Sequence, residues 1–165
     1  MHHRGLLYRA LAPARARTPL SGDGARLHGG RFNPRGVPAL YTAFCVVTAV
    51  REASQIGTLQ PTVLVAYEAD IAPVFDAADT RALAAYDMTP EGLAAADWRI
   101  AMRGGGKAPT QLLAERLIAD GYAGMRVQRF AKGARASDLN LVLWEWGAAV
   151  PTRLVLVDDE GRLSQ

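Results

Sequence analysis

The sequence predicts a single α+β domain, and three observations carry that prediction. A length of 165 residues with half the composition hydrophobic is enough for one core. Helical and strand patterns are interspersed without repeating as βαβ units, which argues against a doubly wound sheet. No repeat, low-complexity tract or linker divides the chain. The expected architecture is a mixed or antiparallel sheet with flanking helices, residues 1–165 forming one domain.

The elements follow in chain order. LLYRAL (6–11) reads as a first strand, and the Pro/Arg/Gly-rich stretch 13–30 as a loop. A short strand ends near Tyr41. Thr42 is placed to cap a helix over 43–55, stopped by Gly57, with Val46, Val47 and Val50 on one face. TVLVAYEADI (62–71) is β-branched and aromatic enough for a strand. TPEGLAAADWRIAM (89–102) has Thr at the N-cap, Pro at the first helical position and an acid next, so one helix is expected there. PTQLLAERLIADG (109–121) is an amphipathic helix closed by Gly121. LNLVLWEW (139–146) and TRLVLVD (152–158) are strands, the first placing Trp144 and Trp146 on a shared face for core or partner packing.

No apolar run approaches the ~20 residues of a membrane span, and the N-terminus lacks a secretory pattern, so a soluble, cytoplasmic protein is expected. Cys45, alone among apolar neighbours, reads as a small core residue. The net charge is +3, yet residues 1–51 hold eight arginines against the single acid Asp23. An anionic partner and an ordinary solvated basic face both suit that asymmetry. Arg126, Arg129, Lys132 and Arg135 recur every three residues and leave the same two readings open.

Familiar ligand motifs are incomplete. GDGARL lacks the third glycine of a dinucleotide fingerprint and a strand leading into it. In RGGGKAP the residue after Lys107 is alanine, so the run is a glycine loop, a lid candidate, and not a phosphate cradle. His2, His3, His28 and Cys45 have no metal-ligand spacing, and no metal is expected.

GGRFNPRGVPALY (29–41) is the stretch that points to chemistry. Glycines let the backbone approach a neighbour closely or take positive φ, and Pro34 and Pro38 fix φ nearby, so Arg31 is presented by a stiff loop. Tyr41 follows ten residues later, and Glu52 lies near the C-terminal end of the next predicted helix, where the dipole favours cations. Glu52 is therefore either a surface carboxylate paired locally with Arg51 or a group held there for a function.

LYRAL, LSGDGARLHGGRFNPRGVPALYTA, AVREAS and DLNLVLWEW together resemble the RES-domain family, the toxin component of Xre-RES toxin–antitoxin pairs. The resemblance covers most of the chain. It implies a fold similar to ADP-ribosyltransferase toxins and consumption of NAD+ as substrate, either by degradation at the nicotinamide ribose or by transfer of ADP-ribose to a protein. By position, Arg31 matches the family arginine, Tyr41 its tyrosine, Glu52 its glutamate and Arg9 the arginine of the opening strand. The family serine has no direct counterpart, since Arg129 stands in its place within VQRFAKGA; Ser137 is the nearest substitute.

On that reading Arg31 and Arg9 clamp the pyrophosphate and Tyr41 offers a flat face to the nicotinamide. Glu52 stabilises the oxocarbenium-like state in which the glycosidic bond breaks. Ser137 supplies a further polar contact. The resemblance also implies an Xre-type helix-turn-helix antitoxin over the site entrance, and a toxin dimer within that complex. A basic nucleic-acid-binding module is the alternative, though its arginines are interleaved with prolines and glycines instead of aromatics.

Overall fold

A computed structural model describes residues 1–54, 60–130, 134–135 and 137–163. Seven strands form one sheet: β1 (His3–Leu11), β2 (Leu40–Ala43), β3 (Val63–Ile71), β4 (Val74–Asp76), β5 (Gly124–Gln128), β6 (Leu139–Leu143) and β7 (Thr152–Leu156). Their order is β4-β5-β6-β2-β1-β3-β7. The β4–β5 pair is parallel and the others are antiparallel, so the expected α+β class with a mixed sheet is what forms. The longest ladder joins β1 to β3 from His3↔Ile71 to Leu11↔Val63.

Strand alternation divides the core between the two sheet faces. Leu141 and Leu143 join Leu7, Leu40, Val65, Tyr67 and Ile71 on one side, while Val142 and Trp144 join Phe75, Leu83, Leu93, Leu113 and Leu117 on the other. The second side is covered by α3 (Thr80–Ala84), α4 (Pro90–Ala94) and α6 (Pro109–Ala119), whose buried leucines meet that cluster. Two further helices, α1 (Asp23–His28) and α5 (Trp98–Arg103), edge the functional face, and α2 (Val46–Ala53) follows β2.

Thr42 caps no helix: LYTA continues as β2 against β6, and the Thr42 hydroxyl donates to the Leu141 carbonyl at 2.7 Å. Cys45 caps α2 instead, its sulfur accepting from the Thr48 N–H at 3.4 Å, and is exposed. Helix α2 rests on the sheet through Thr48 and Ala49, leaving Val46 and Val47 40% and 56% exposed. Small residues let it approach β1 and β2 closely, which a valine face cannot do. The expected end at Gln55 and stop at Gly57 lie outside the described residues.

The segment 89–102 forms two helices. Its start is as read, with Thr89 Oγ1 accepting from the Gly92 N–H at 3.1 Å and Pro90 at the first turn. It breaks at Ala95, whose ψ of 129° is extended. Trp144 and Trp146 do not share a face. Strand β6 ends at Leu143, and the Trp144 and Glu145 amides both donate to the Ala123 carbonyl, which breaks the two-residue period. Trp144 enters the helix-covered cluster and Trp146 packs against the opposite one.

Candidate active site

The segment 29–33 is built as a lock around Tyr41. The Tyr41 hydroxyl donates to Asn33 Oδ1 at 2.7 Å and accepts from the Phe32 N–H at 3.1 Å. Fully buried Asn33 directs its amide nitrogen to the carbonyls of Ala25 and Val37, both at 2.9 Å. Gln111 of α6 donates to the Gly30 and Asn33 carbonyls, and Trp144 Nε1 donates to the Phe32 carbonyl at 2.8 Å. Gly29 has φ of 70°, and a Cβ on Gly30 would collide with the Tyr41 hydroxyl. One glycine is required by backbone conformation and the other by close approach. Burial pushes the Tyr41 phenol well above the ordinary tyrosine range, against the opposing effects of the Phe32 N–H and Arg31, so it stays neutral.

That lock aims Arg31 across to the helix break. Its Nη1 donates to the Leu93 and Ala95 carbonyls at 2.8 and 2.7 Å, groups that a continuing helix would have bonded to its own N–H donors. The guanidinium lies 5.2 Å from the Phe130 ring centre and 5.9 Å from that of Trp98, whose ring also carries Arg99 at 4.3 Å. Burial, and then the charge of Arg99, lower the Arg31 pKa, while Tyr41 and Glu52 oppose the shift.

Glu52, on α2, is held from two strands. Asn140 Nδ2 on β6 donates to Glu52 Oε1 at 3.2 Å. The buried Arg129, just after β5, places Nε 2.9 Å from the same oxygen, at ion-pair distance but not aligned as a hydrogen bond. Of the two readings of Glu52, the local pair with Arg51 is not what forms among the described residues, because Arg51 pairs with Asp138 at 3.3 Å. Nor do the spaced cations make one stripe. Arg126 is ion-paired with Asp76, Arg129 is buried against Glu52, Arg135 is exposed, and Lys132 lies outside the described residues.

Arg31, Tyr41 and Glu52 line one cavity of about 230 Å³, together with Trp98, Arg99, Phe130 and Asn140. Two neighbouring cavities share Tyr41 with it. One, of about 340 Å³, adds Arg9 and again includes Glu52 and Asn140; the other, of about 310 Å³, adds Arg9, Arg15 and Ser21. Arg9 reaches this region from β1 and donates to the Pro19 carbonyl at 3.1 Å, tying the 18–22 turn to the sheet. Ser137 is exposed in the turn before β6 and lines none of these cavities. His28 is exposed at the end of α1. A larger cavity of about 660 Å³ adjoins β5, but its two arginines, Arg126 and Arg129, already face carboxylates. Among the described residues no group of three or more His, Cys, Asp or Glu side chains is placed to hold a metal.

Of the residues expected in the site, Arg31, Tyr41, Glu52 and Arg9 are gathered by the fold. Nothing in the sequence pointed to Trp98, Phe130 or Arg99 as walls of the site, or to Arg129 and Asn140 as the partners of Glu52. These residues lie 67 to 109 positions beyond Arg31, and spacing carries no signal over such distances.

A model of the RES domain matches residues 6–164. The chain belongs to the RES domain family. This RES domain is similar in structure to a chain of the crystal structure of the M. tuberculosis MbcT–MbcA toxin–antitoxin complex. The TM-score is 0.71 at 22% identity, covering 96% of this chain and 84% of that one. At that identity the likeness establishes the fold. No curated protein sequence matches. No helix among the described residues is long and apolar enough to cross a membrane.

Proposed function

We propose that this RES domain is the toxin of a toxin–antitoxin pair and that it cleaves the bond between nicotinamide and ribose in NAD+. The observation carrying the reading is that Arg31, Tyr41 and Glu52 line one cavity, with Arg9 in the two that adjoin it. Family membership and the structural likeness to a chain of a toxin–antitoxin complex agree with it.

In this reading the arginines bind the pyrophosphate, and the Tyr41 ring sets the orientation of the nicotinamide. The glycosidic C–N bond breaks with its electron pair passing to nicotinamide, which leaves neutral. Positive charge develops on the ribose, where the Glu52 carboxylate, fixed by Asn140 and Arg129, stabilises it electrostatically. Attack by water releases ADP-ribose and a proton; attack by phosphate also destroys NAD+. Attack by a protein side chain makes the protein a mono-ADP-ribosyltransferase. Segment 18–28, which lines one adjoining cavity, and loop 103–108 are the candidates for selecting the acceptor. The inhibitory partner is an Xre-type helix-turn-helix antitoxin that covers the cavity entrance, in a complex that contains a toxin dimer.

Incubation with NAD+ and measurement of free nicotinamide is the direct test. Mass spectrometry of a lysate given labelled NAD+ separates transfer from degradation. Absence of nicotinamide release, accompanied by salt-sensitive duplex binding, would replace this reading with the basic nucleic-acid module.

A further inference from the structure

Among the described residues, five side-chain polar atoms are buried without a hydrogen-bond partner. Two of them, Trp98 Nε1 and Asn140 Oδ1, belong to residues that line the Tyr41 cavity. An unpaired buried amide oxygen is unfavourable unless something binds it, and in a cavity wall that something is a ligand donor. The orientation of the Asn140 amide follows from chemistry. Its nitrogen faces Glu52 Oε1 at 3.2 Å, and the flipped amide would set an oxygen against a carboxylate oxygen. Oδ1 therefore has only acceptor capacity, one amide group away from the carboxylate.

The backbone beneath this oxygen is rigid. Asn140 lies in a strand paired on both sides, opposite Ala43 on β2 and Val127 on β5. Glu52 and Asn140 also line the neighbouring cavity that contains Arg9. Two adjacent acceptors on stiff supports, with arginines nearby for phosphate, match a ligand that brings two adjacent hydroxyl donors and a phosphate. A ribonucleotide with an intact cis-diol has that chemistry.

We propose that Asn140 is a substrate-positioning residue whose side-chain oxygen accepts a hydrogen bond from one hydroxyl of the nicotinamide ribose while the Glu52 carboxylate accepts from the other. The assignment rests on the NAD+ reading for its ligand but not on turnover, since binding alone reports it.

The experiment uses the full chain and carba-NAD+, whose carbocyclic ring keeps both hydroxyls but lacks the cleavable glycosidic bond. Asn140→Leu keeps the branched side-chain shape and removes the acceptor, together with the donor to Glu52. Calorimetric titration of wild type should show binding that weakens roughly 10-fold in Asn140→Leu, the scale of one lost hydrogen bond. Carba-NAD+ analogues lacking the 2′ or the 3′ hydroxyl of the carbocyclic ring that bears nicotinamide supply the control. Wild type should disfavour both, and Asn140→Leu should stop discriminating against one of them. In steady state the loss should appear in KM for NAD+ more than in kcat. Equal weakening of all three ligands in Asn140→Leu would assign Asn140 a structural role and overturn the proposal, as would unchanged affinity for carba-NAD+. If the Asn140-dependent discrimination is present but nicotinamide is never released from NAD+, the acceptor pair stands and the cleavage reading fails. If nicotinamide is released and discrimination is untouched by Asn140→Leu, the acceptor pair alone fails. Wild type that binds no carba-NAD+ rejects both.

Discussion

Gly30, Tyr41 and Asn33 depend on one another at atomic distance, so small changes there have large effects. A Cβ on Gly30 would meet the Tyr41 hydroxyl and come within 2.6 Å of Asn33 Oδ1. Gly30→Ala should destabilise the protein by about 1–3 kcal/mol, read from urea unfolding. Tyr41→Phe strands the Phe32 N–H and the Asn33 oxygen and should lose a similar ~1–3 kcal/mol. The phenol also predicts alkaline lability. Its folded pKa is raised above the ordinary 10.0, so the stabilisation is complete below that value and is lost as pH rises beyond it, where only the unfolded chain ionises. Wild type should lose more stability than Tyr41→Phe between about pH 9 and 11. Glu52 carries the chemical prediction. Glu52→Gln should lower nicotinamide release ~10²–10³-fold at unchanged secondary structure by circular dichroism. The glycine, arginine, tyrosine and glutamate were legible because they sit within one short stretch and the helix after it. Arg129 and Asn140, which hold Glu52, were not assigned that role because nothing local in VQRFA or DLNLVL says what those side chains will meet.

Elements show where local rules were overridden. The capping signals at Thr89 and Pro90 were correct, yet they could not show that the helix would stop at Ala94, since the stop coincides with Arg31 donating to its last carbonyls from 62 residues away. The alternation of LYTA outweighed the capping propensity of Thr42 because pairing with β6 satisfies more backbone groups than an early helix start. Helix α2 is then fastened to the turn before β6 through Asp138, which faces Thr48 at 3.4 Å and Arg51 at 3.3 Å. The backbone N–H of Arg135, assisted by Arg51 and Thr48 against the cost of desolvation, holds the Asp138 pKa below the ordinary 3.8. A depressed carboxylate stabilises the fold above its unfolded pKa, and that contribution disappears as pH falls through its folded value. Thermal midpoints measured from pH 6 down to 2.5 should therefore fall more steeply for wild type than for Asp138→Asn, which begins lower.

At the scale of the molecule, β2 lies between β6 and β1, and this order gathers the site. It sets Tyr41 beside Asn140 on one flank and Arg9 on the other, under the α2 helix that carries Glu52. Arg9, Arg15, Arg31 and Arg99 then concentrate positive charge along adjoining cavities instead of over a convex face. Raising salt from about 0.1 M to 1 M shortens the screening length from ~10 to ~3 Å. The dissociation constant of carba-NAD+, measured by titration, should rise with salt.

The chain by itself determined the α+β class, the main strands and the amphipathic helix α6, because periodicity and capping act over a few residues. It also determined the stiff loop that presents Arg31, through glycine and proline geometry. Only the tertiary structure decided that this loop would be locked by Gln111 and Trp144, that Arg31 would coincide with the end of a helix, and that Glu52 would be held by Asn140 and Arg129. Those partners are chosen by strand order and burial, which bring together groups that no local pattern in the sequence connects.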